Sequence, residues 1–296
     1  MSWILYTFFA VNFFSVANIF DKYFVSKKYK SIYSFAVILN IFYLVFFIIM
    51  GFFIRKTFVL NAGLFWTVMA SLSYYAMWIF WWKGLATGEV SRVIAIFFTS
   101  PIFNALMAVI FLKESLSVLK WLAIFLIVIG AILSSWEGKK SKKGFNIAYV
   151  FALISAVFAS AGNVLSKQAM VYWPALTVQV VGYSVALPLY LLLLLNKQVL
   201  EETKKTFTNI RLSSFIFFRS FIGFLANCSF TLSLGVGPAS LVVALNGAQP
   251  MVILIYSTLI TLFYPRFLKE DISKKALFLK TFAIVLIIIG AIIISK

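Results

Sequence analysis

One charge stands well inside an apolar run: Arg219, in "SFIFFRSFIGFLANCSF" (214–230). It lies about four residues, roughly 6 Å along a helix, from the centre of that run. A charge at such depth usually faces a bundle interior or a wet cavity and marks a functional site. A guanidinium there suits the carboxylate or phosphate of a ligand, and Asn227, eight residues on, is taken with it. The competing use is a long side chain that snorkels to the near interface. Other polar groups stand close to prolines. Asn246 and Gln249 precede Pro250 and are expected on one helix face, and Thr99 and Ser100 precede Pro101. Proline frees a carbonyl one turn back, so a nearby amide or hydroxyl either satisfies that carbonyl or meets a ligand. Asn18 and Asn163 are open to the same two readings, as ligand contacts or as hydrogen bonds between helices. On a further run Tyr74, Trp78, Trp81 and Trp82 form a stripe at helical spacing. The last two fit an interfacial belt, while Tyr74 and Trp78 lie deep enough to line a cavity.

Equally informative is the chemistry that is missing. The sequence has no histidine, and Cys228 is its only cysteine. This excludes an internal disulfide, a Cys/His zinc site and a histidine general base. No enzymatic activity, metal or cofactor is expected. Every acid, from Asp21 and Glu89 through Glu114, Glu137, Glu201 and Glu202 to Glu270 and Asp271, falls at or beyond the end of an apolar run. A carboxylate in mid-membrane, serving as a proton carrier or cation ligand, is therefore not expected. The formal charge of +18 sits in the connections between runs, where membrane topology explains it more simply than nucleic acid does.

These residues are held by apolar segments. The chain is 63% hydrophobic, 19% aromatic and 11% charged, too few charges to cover a soluble globule of this size. Runs close to the ~20 residues needed to span hydrocarbon recur throughout. They cover Trp3–Phe20, Ile32–Ile54, Ala62–Trp82, Val93–Leu112, Val118–Trp136, Ile147–Leu165, Ala175–Leu195, Leu212–Leu234, Leu241–Phe263 and Leu277–Ser295. None shows the short alternating pattern of a membrane β-barrel. The first run has no basic residues before it and is followed by Asp21-Lys22 rather than small residues, so it reads as a retained span and not a signal peptide. The expected fold is an all-α integral membrane protein of ten transmembrane helices.

The chain also repeats itself. Ser15, Asn18 and Lys22 fall on Ser160, Asn163 and Lys167 at one offset, giving the first and sixth spans a shared stripe on one helix face. "GEVSRVIAIFFTSP" (88–101) matches "GPASLVVALNGAQP" (237–250), with Pro101 on Pro250, and Arg219 then falls on Ala70. "FLKE" occurs at 111–114 and again at 267–270, and "LKWLAIFLIVIGAIL" (119–133) returns as "LKTFAIVLIIIGAII" (279–293). The order of the matches predicts a five-helix unit at 1–137, a basic linker at 138–144 and a second five-helix unit at 145–296. An odd number of spans per unit leaves the second unit upside down relative to the first, which makes two inverted repeats. Gly130 and Gly290 are expected to let the closing helices pack closely, as are Ala161 and Gly162 in the sixth span.

At this point the sequence resembles a known family. The five-plus-five repeat, "KGLATGEVSRVIAIFFTSP" (83–101), "FLKESL" (111–116) and the repeated fifteen-residue segment look like the EamA-type drug/metabolite transporters. Glu114 stands in the place of the family's glutamate, with Glu270 as its counterpart. The resemblance implies a secondary transporter, commonly an exporter of amino acids, related metabolites or drugs. It also implies alternating access about a site between the halves, a monomer, and residence in the cell membrane as a multi-pass protein. Its partners would be a small-molecule substrate and the lipid bilayer. Two other functions stay open. One is exchange of nucleotide sugars or phosphorylated metabolites, for which Arg219 would suit a phosphate; "VALNG" (243–247) faintly resembles a signature of such carriers, but Val243 and Gly247 depart from it. The other is a non-transporting subunit of a lipid-carrier flippase.

Loop charges and resemblance disagree on orientation. Connections after odd-numbered spans hold most basic residues, among them Lys27, Lys28, Lys83, Lys139, Lys204 and Arg211, whereas the termini and remaining loops hold only Arg55, Lys56, Lys113, Lys120, Lys167 and Lys296. The positive-inside rule puts both termini outside; the resemblance implies both inside. We take the charge count.

Overall fold

In hydrocarbon a backbone amide finds no water, so each apolar run closes its hydrogen bonds upon itself as a helix. The computed structural model describes residues 2–29, 31–88, 90–134, 147–263 and 274–295. The basic linker 138–144, the second "FLKE", Glu89, Glu137, Glu270 and Asp271 lie outside the described residues. In the first half are α1 (Trp3–Lys27), α2 (Ile32–Ile54), α3 (Ala62–Thr87), α4 (Val90–Phe97), α5 (Ser100–Phe111) and α6 (Val118–Ser134). The second half holds α7 (Ile147–Ala169), α8 (Ala175–Leu191), α9 (Lys197–Thr208), α10 (Ile210–Val236), α11 (Ala239–Asn246), α12 (Gln249–Phe263) and α13 (Lys274–Ser295). No strand occurs among the described residues. Eight helical stretches are long and apolar enough to cross a bilayer, while Val118–Leu133 and Thr281–Ser295 are apolar but shorter.

Two departures from the sequence reading have local causes. The expected fourth span divides into α4 and α5 at Phe98-Thr99, and the expected ninth into α11 and α12 at Gly247-Ala248. Pro101 and Pro250 have no N–H to give the carbonyl one turn back, so the helix restarts at each. The second departure is α9, formed where the sequence suggests only a basic connection. Asn196 caps it by accepting from the amides of Gln198 and Val199 at 3.0 and 3.4 Å. Val199, Thr203 and Thr206 form its buried face, which lies against α2 and α10.

The halves pack with an exchange symmetry. Contacts of α3 with α7, α5 with α7 and α3 with α8 are matched by those of α10 with α1, α12 with α1 and α10 with α2. The α6–α13 and α2–α8 contacts map onto themselves. The repeated fifteen-residue segment shows this atom by atom. A Cβ on Gly130 would lie 2.6 Å from Ile287 Cγ1 and 2.8 Å from the Ala283 carbonyl, and one on Gly290 would lie 2.7 Å from Ile127 Cγ1 and 2.8 Å from the Ala123 carbonyl. Each glycine therefore opens its helix to the backbone of the other, as small residues do where membrane helices approach closely.

Because the obstructing atoms include backbone oxygens, Gly130→Val or Gly290→Val should lower stability by about 2 kcal/mol. Gly51→Ala, whose Cβ would meet only Val180 Cγ1 at 3.4 Å, should be neutral. Thermal unfolding of the detergent-purified protein distinguishes them, and equal melting temperatures for all three variants would count against this packing.

Candidate functional site

Arg219 is buried, and its charge is met from within the protein. Nε donates to Asp21 Oδ1 at 2.5 Å and Nη2 donates to Asp21 Oδ2, a two-pronged ion pair between α10 and α1. Nη1 donates to the Tyr43 hydroxyl of α2 at 2.6 Å. A bidentate guanidinium–carboxylate pair fixes direction as well as distance. Gly223, one turn on from Arg219, is needed for this: its Cβ would lie 2.2 Å from the Tyr43 hydroxyl oxygen and 2.8 Å from Arg219 Nη1. Around the pair is an aromatic wall in which Tyr43 meets Tyr183 edge-on and Phe47 stacks on Tyr183 at 4.4 Å.

Asp21 does stand at the end of the first apolar stretch, Trp3–Asp21, and its pairing with Arg219 is what the sequence reading lacked. Asp21 ends the apolar run of α1, yet the helix continues to Lys27, so Asp21 is a helical residue packed against α10. The sequence signal was the lone Arg219, since a buried cation requires a counter-charge; periodicity alone did not say which of eight acids supplied it. Arg219 is also no unpaired cation awaiting an anion, for Asp21 already occupies two of its donors.

The helix breaks are met by residues of the opposite half. Ser160 Oγ of α7 donates to the Ser100 carbonyl at 2.9 Å, and Ser15 Oγ of α1 donates to the Gln249 carbonyl at 3.4 Å. Both carbonyls immediately precede the prolines, and the two bonds exchange under the repeat. Asn18 Nδ2 donates to Gln249 Oε1 at 3.2 Å, and Tyr74 donates its hydroxyl proton to Asn163 Oδ1 at 2.7 Å. The shared stripe thus faces the other half in both copies. Its last member in the second copy, Lys167, gives Nζ to the carbonyls of Leu234, Gly235 and Gly237 at the end of α10, where a helix leaves carbonyls without partners.

Glu114 does the complementary task. Its Oε1 accepts from the Ala239 amide at 2.6 Å, and its Oε2 accepts from the Ser240 amide at 3.1 Å and from the Ser240 hydroxyl. A carboxylate from the first half thus caps the positive end of a second-half helix. Lys113, the one non-glycine residue with positive φ (57°) among the described residues, makes the turn that brings Glu114 there.

Other sequence candidates are placed differently. Asn246 and Gln249 stand on either side of the Gly247-Ala248 break, so they share no continuous helix face. Asn246 Oδ1 is buried and accepts no hydrogen bond among the described residues. Thr99 gives its hydroxyl to the Ile96 carbonyl at 2.7 Å, and Asn227 donates to the Gly223 carbonyl at 2.7 Å; both bonds are local. Trp78 is 40% exposed with its ring 5.7 Å from that of Trp82, so it belongs to the belt of Trp82, Tyr33 and Tyr190 rather than with Tyr74.

Two further contacts tie the halves beyond the membrane span. Tyr29 shares a 2.8 Å hydrogen bond with Thr206 of α9, and Glu202 of α9 accepts from the Ser31 amide at 3.3 Å, at the start of α2. Burial, chiefly, pushes the Tyr29 hydroxyl up to about 12, with Glu202 adding to the rise against the Thr206 bond. Tyr29 therefore keeps its proton at physiological pH.

Fold and site together define a polytopic helical membrane protein of two like halves, with polar residues from each meeting the other. The EamA-like transporter family matches it twice, over residues 1–136 and 146–296. The chain belongs to that family. A solved structure titled "Crystal structure of protein" superposes with a TM-score of 0.68 at 16% identity, covering 98% of this chain and 95% of the other; this likeness concerns the fold. No curated protein matches the chain in sequence.

Leaving one member of a buried ion pair without its partner is costly. Asp21→Asn or Arg219→Gln should each lower stability by about 3 kcal/mol, while Asp21→Leu with Arg219→Met should fall closer to the parent than either. Denaturation in detergent measures the three, and additive losses would contradict the pairing. Glu114→Gln should cost about 1 kcal/mol in the same assay through its weaker cap on α11.

Proposed function

We propose that the protein is a secondary active transporter, and an exporter, of small metabolites such as amino acids or related compounds, working by alternating access between inverted five-helix repeats. In this reading the ten apolar segments all cross the cell membrane, the repeats are 1–137 and 145–296 joined by the linker 138–144, and the protein acts as a monomer in the bilayer. The carrying observation is the exchange symmetry of the inter-half contacts, in a chain whose two halves each match a transporter family. Such symmetry gives two packings of the same halves related by the repeat axis, one for each side of the membrane. Broken helices at Phe98-Thr99 and Gly247-Ala248 support a site between the halves, because irregular backbone inside a membrane persists only where protein or a wet cavity surrounds it. Asn18, Gln249, Asn163, Tyr74, Thr99, Asn227 and Asn246 are the proposed substrate contacts near these breaks, with Arg219 at their margin and Trp78 as a peripheral member. Asn246 Oδ1, beside the second break and without a hydrogen-bond partner among the described residues, is an atom a ligand or water could satisfy.

The test is counterflow of labelled amino acids in proteoliposomes. Uptake against unlabelled internal substrate is expected, and Asn246→Leu should reduce it by about tenfold, since the substituted site offers no acceptor. Absence of counterflow for every amino acid and related metabolite would defeat the reading. For orientation, the loop charges favour external termini. A C-terminal reporter active only in the cytoplasm should then stay silent, and an active one would reverse the assignment.

A further inference from the structure

The two packings differ in one respect that the repeat makes visible. Under the match that sets Pro101 on Pro250, Arg219 corresponds to Ala70, and under the match that sets Ser160 on Ser15, Asp21 corresponds to Ser166. The ion pair between α1 and α10 thus has as its counterpart a buried alanine on α3 and a buried serine on α7, with no charge on either.

Depth puts the pair nearer one face of the membrane. Helices α1 and α10 run antiparallel: Ser233 near the end of α10 donates its hydroxyl to the Trp3 carbonyl at the start of α1, at 2.9 Å, while Phe24 meets Phe215 at 5.2 Å at the opposite end. Asp21 and Arg219 lie toward that second end, the same end at which Tyr29 and Ser31 are held by α9. At the other face the charged contact between the halves is Glu114, held by the Ala239 and Ser240 amides rather than by a counter-charge, beside neutral contacts in which Trp173 Nε1 donates to the Val59 carbonyl at 2.8 Å and Thr57 bonds Thr177 at 2.6 Å.

From this, and resting on the proposed alternating access, we infer that the Asp21–Arg219–Tyr43 contact is a latch between the halves that holds the α9 face of the transporter closed and sets the two gates at unequal strength. Arg219 belongs to the second half, while Asp21 and Tyr43 belong to the first, so rocking the halves apart at this face must part all three bonds. Parting them leaves a buried cation and a carboxylate to find water or ligand instead. The opposite gate, with Ala70 and Ser166 in these places, opens without parting an ion pair. Asp21, with 26% of its side chain exposed, is the member that water or a ligand reaches first.

The test uses the full chain in detergent with Cys228→Ser, which removes its single thiol, and one buried reporter at a time. Ser220→Cys lies next to Arg219, where the native hydroxyl is buried without a hydrogen-bond partner among the described residues. Ser71→Cys is its counterpart in the repeat, on α3, where the native hydroxyl donates to the Gly182 carbonyl of the other half at 3.0 Å. Reaction with a water-soluble maleimide reports opening at each. Asp21→Asn, and Tyr43→Phe, which removes only a hydroxyl, are expected to speed labelling at 220 by about fivefold or more, the scale of ordinary coupling between states. Both should slow labelling at 71. Exchanging the charges, Asp21→Arg with Arg219→Asp, should move both rates back toward the parent. Unchanged labelling in monodisperse Tyr43→Phe protein would overturn the latch, as would equal acceleration at both reporters, the sign of general loosening. If labelling responds but counterflow is absent for every substrate, the latch stands and the transport reading falls; the reverse pattern removes the latch alone.

Discussion

Inside a bilayer every backbone amide and carbonyl must find its partner in the protein, and this chain suspends that condition at two related places. Pro101 and Pro250 interrupt helices within apolar runs. Beside each break the opposite half supplies a serine, Ser160 to the carbonyl before Pro101 and Ser15 to the carbonyl before Pro250. Glu114 meets the amide at the start of α11 from the other half, and Lys167, in the same half as α10, meets a carbonyl just past the end of α10.

Close packing and polar bonding divide the interface between them. Along the α6–α13 contact the reciprocal glycines give two backbones in near contact, with no polar side chain needed. Toward the α1–α10 and α3–α7 contacts the stripes of serine and asparagine take over, and there the halves cease to be equivalent. Tyr74 and Asn163 bond across α3 and α7, whereas α1 and α10 are joined by full charges. Under the proposed alternating access, exchange symmetry makes the two packings comparable in architecture, and residues that break it make them unequal in energy.

Much of this was legible in the sequence, and the limits have physical causes. Runs of spanning length gave the helices, because length and hydropathy are properties of a segment alone. The register of the repeat was also legible, down to Gly130 and Gly290, since close packing leaves glycine at both copies. Helix breaks were readable only as proline-linked irregularities: a proline marks a lost hydrogen bond but does not say whether the helix bends or restarts. Partners were harder still. Asp21 appeared to end a span, and its side chain reaches Arg219 only because α1 continues past the apolar run. Capping by Glu114 joins residues far apart in sequence, and no local pattern carries such a contact. The amphipathic α9 was hidden by its many charges, though Asn196 is a readable cap and Val199, Thr203 and Thr206 are spaced along one face.

The pairing of Arg219 also alters what a ligand at the proposed site has to accomplish. An anion approaching an unpaired arginine would gain the whole attraction, but here it competes with a carboxylate already bound through two nitrogens in a water-poor environment. Direct competition of that kind gains little unless the displaced Asp21 finds a partner of its own. The energetically favourable ligand therefore offers something to both members of the pair, or binds at the helix breaks and leaves the pair intact. In either case a ligand shifts the halves only by the difference in its affinity for the two packings. Polar contacts such as Asn18 with Gln249 and Tyr74 with Asn163 join opposite halves and must be remade when the halves move, so a ligand that replaces them in one packing acquires that difference. Under the proposed alternating access, a pair of charges at one face sets which packing the empty protein rests in, and how much of the ligand's binding must go into leaving it.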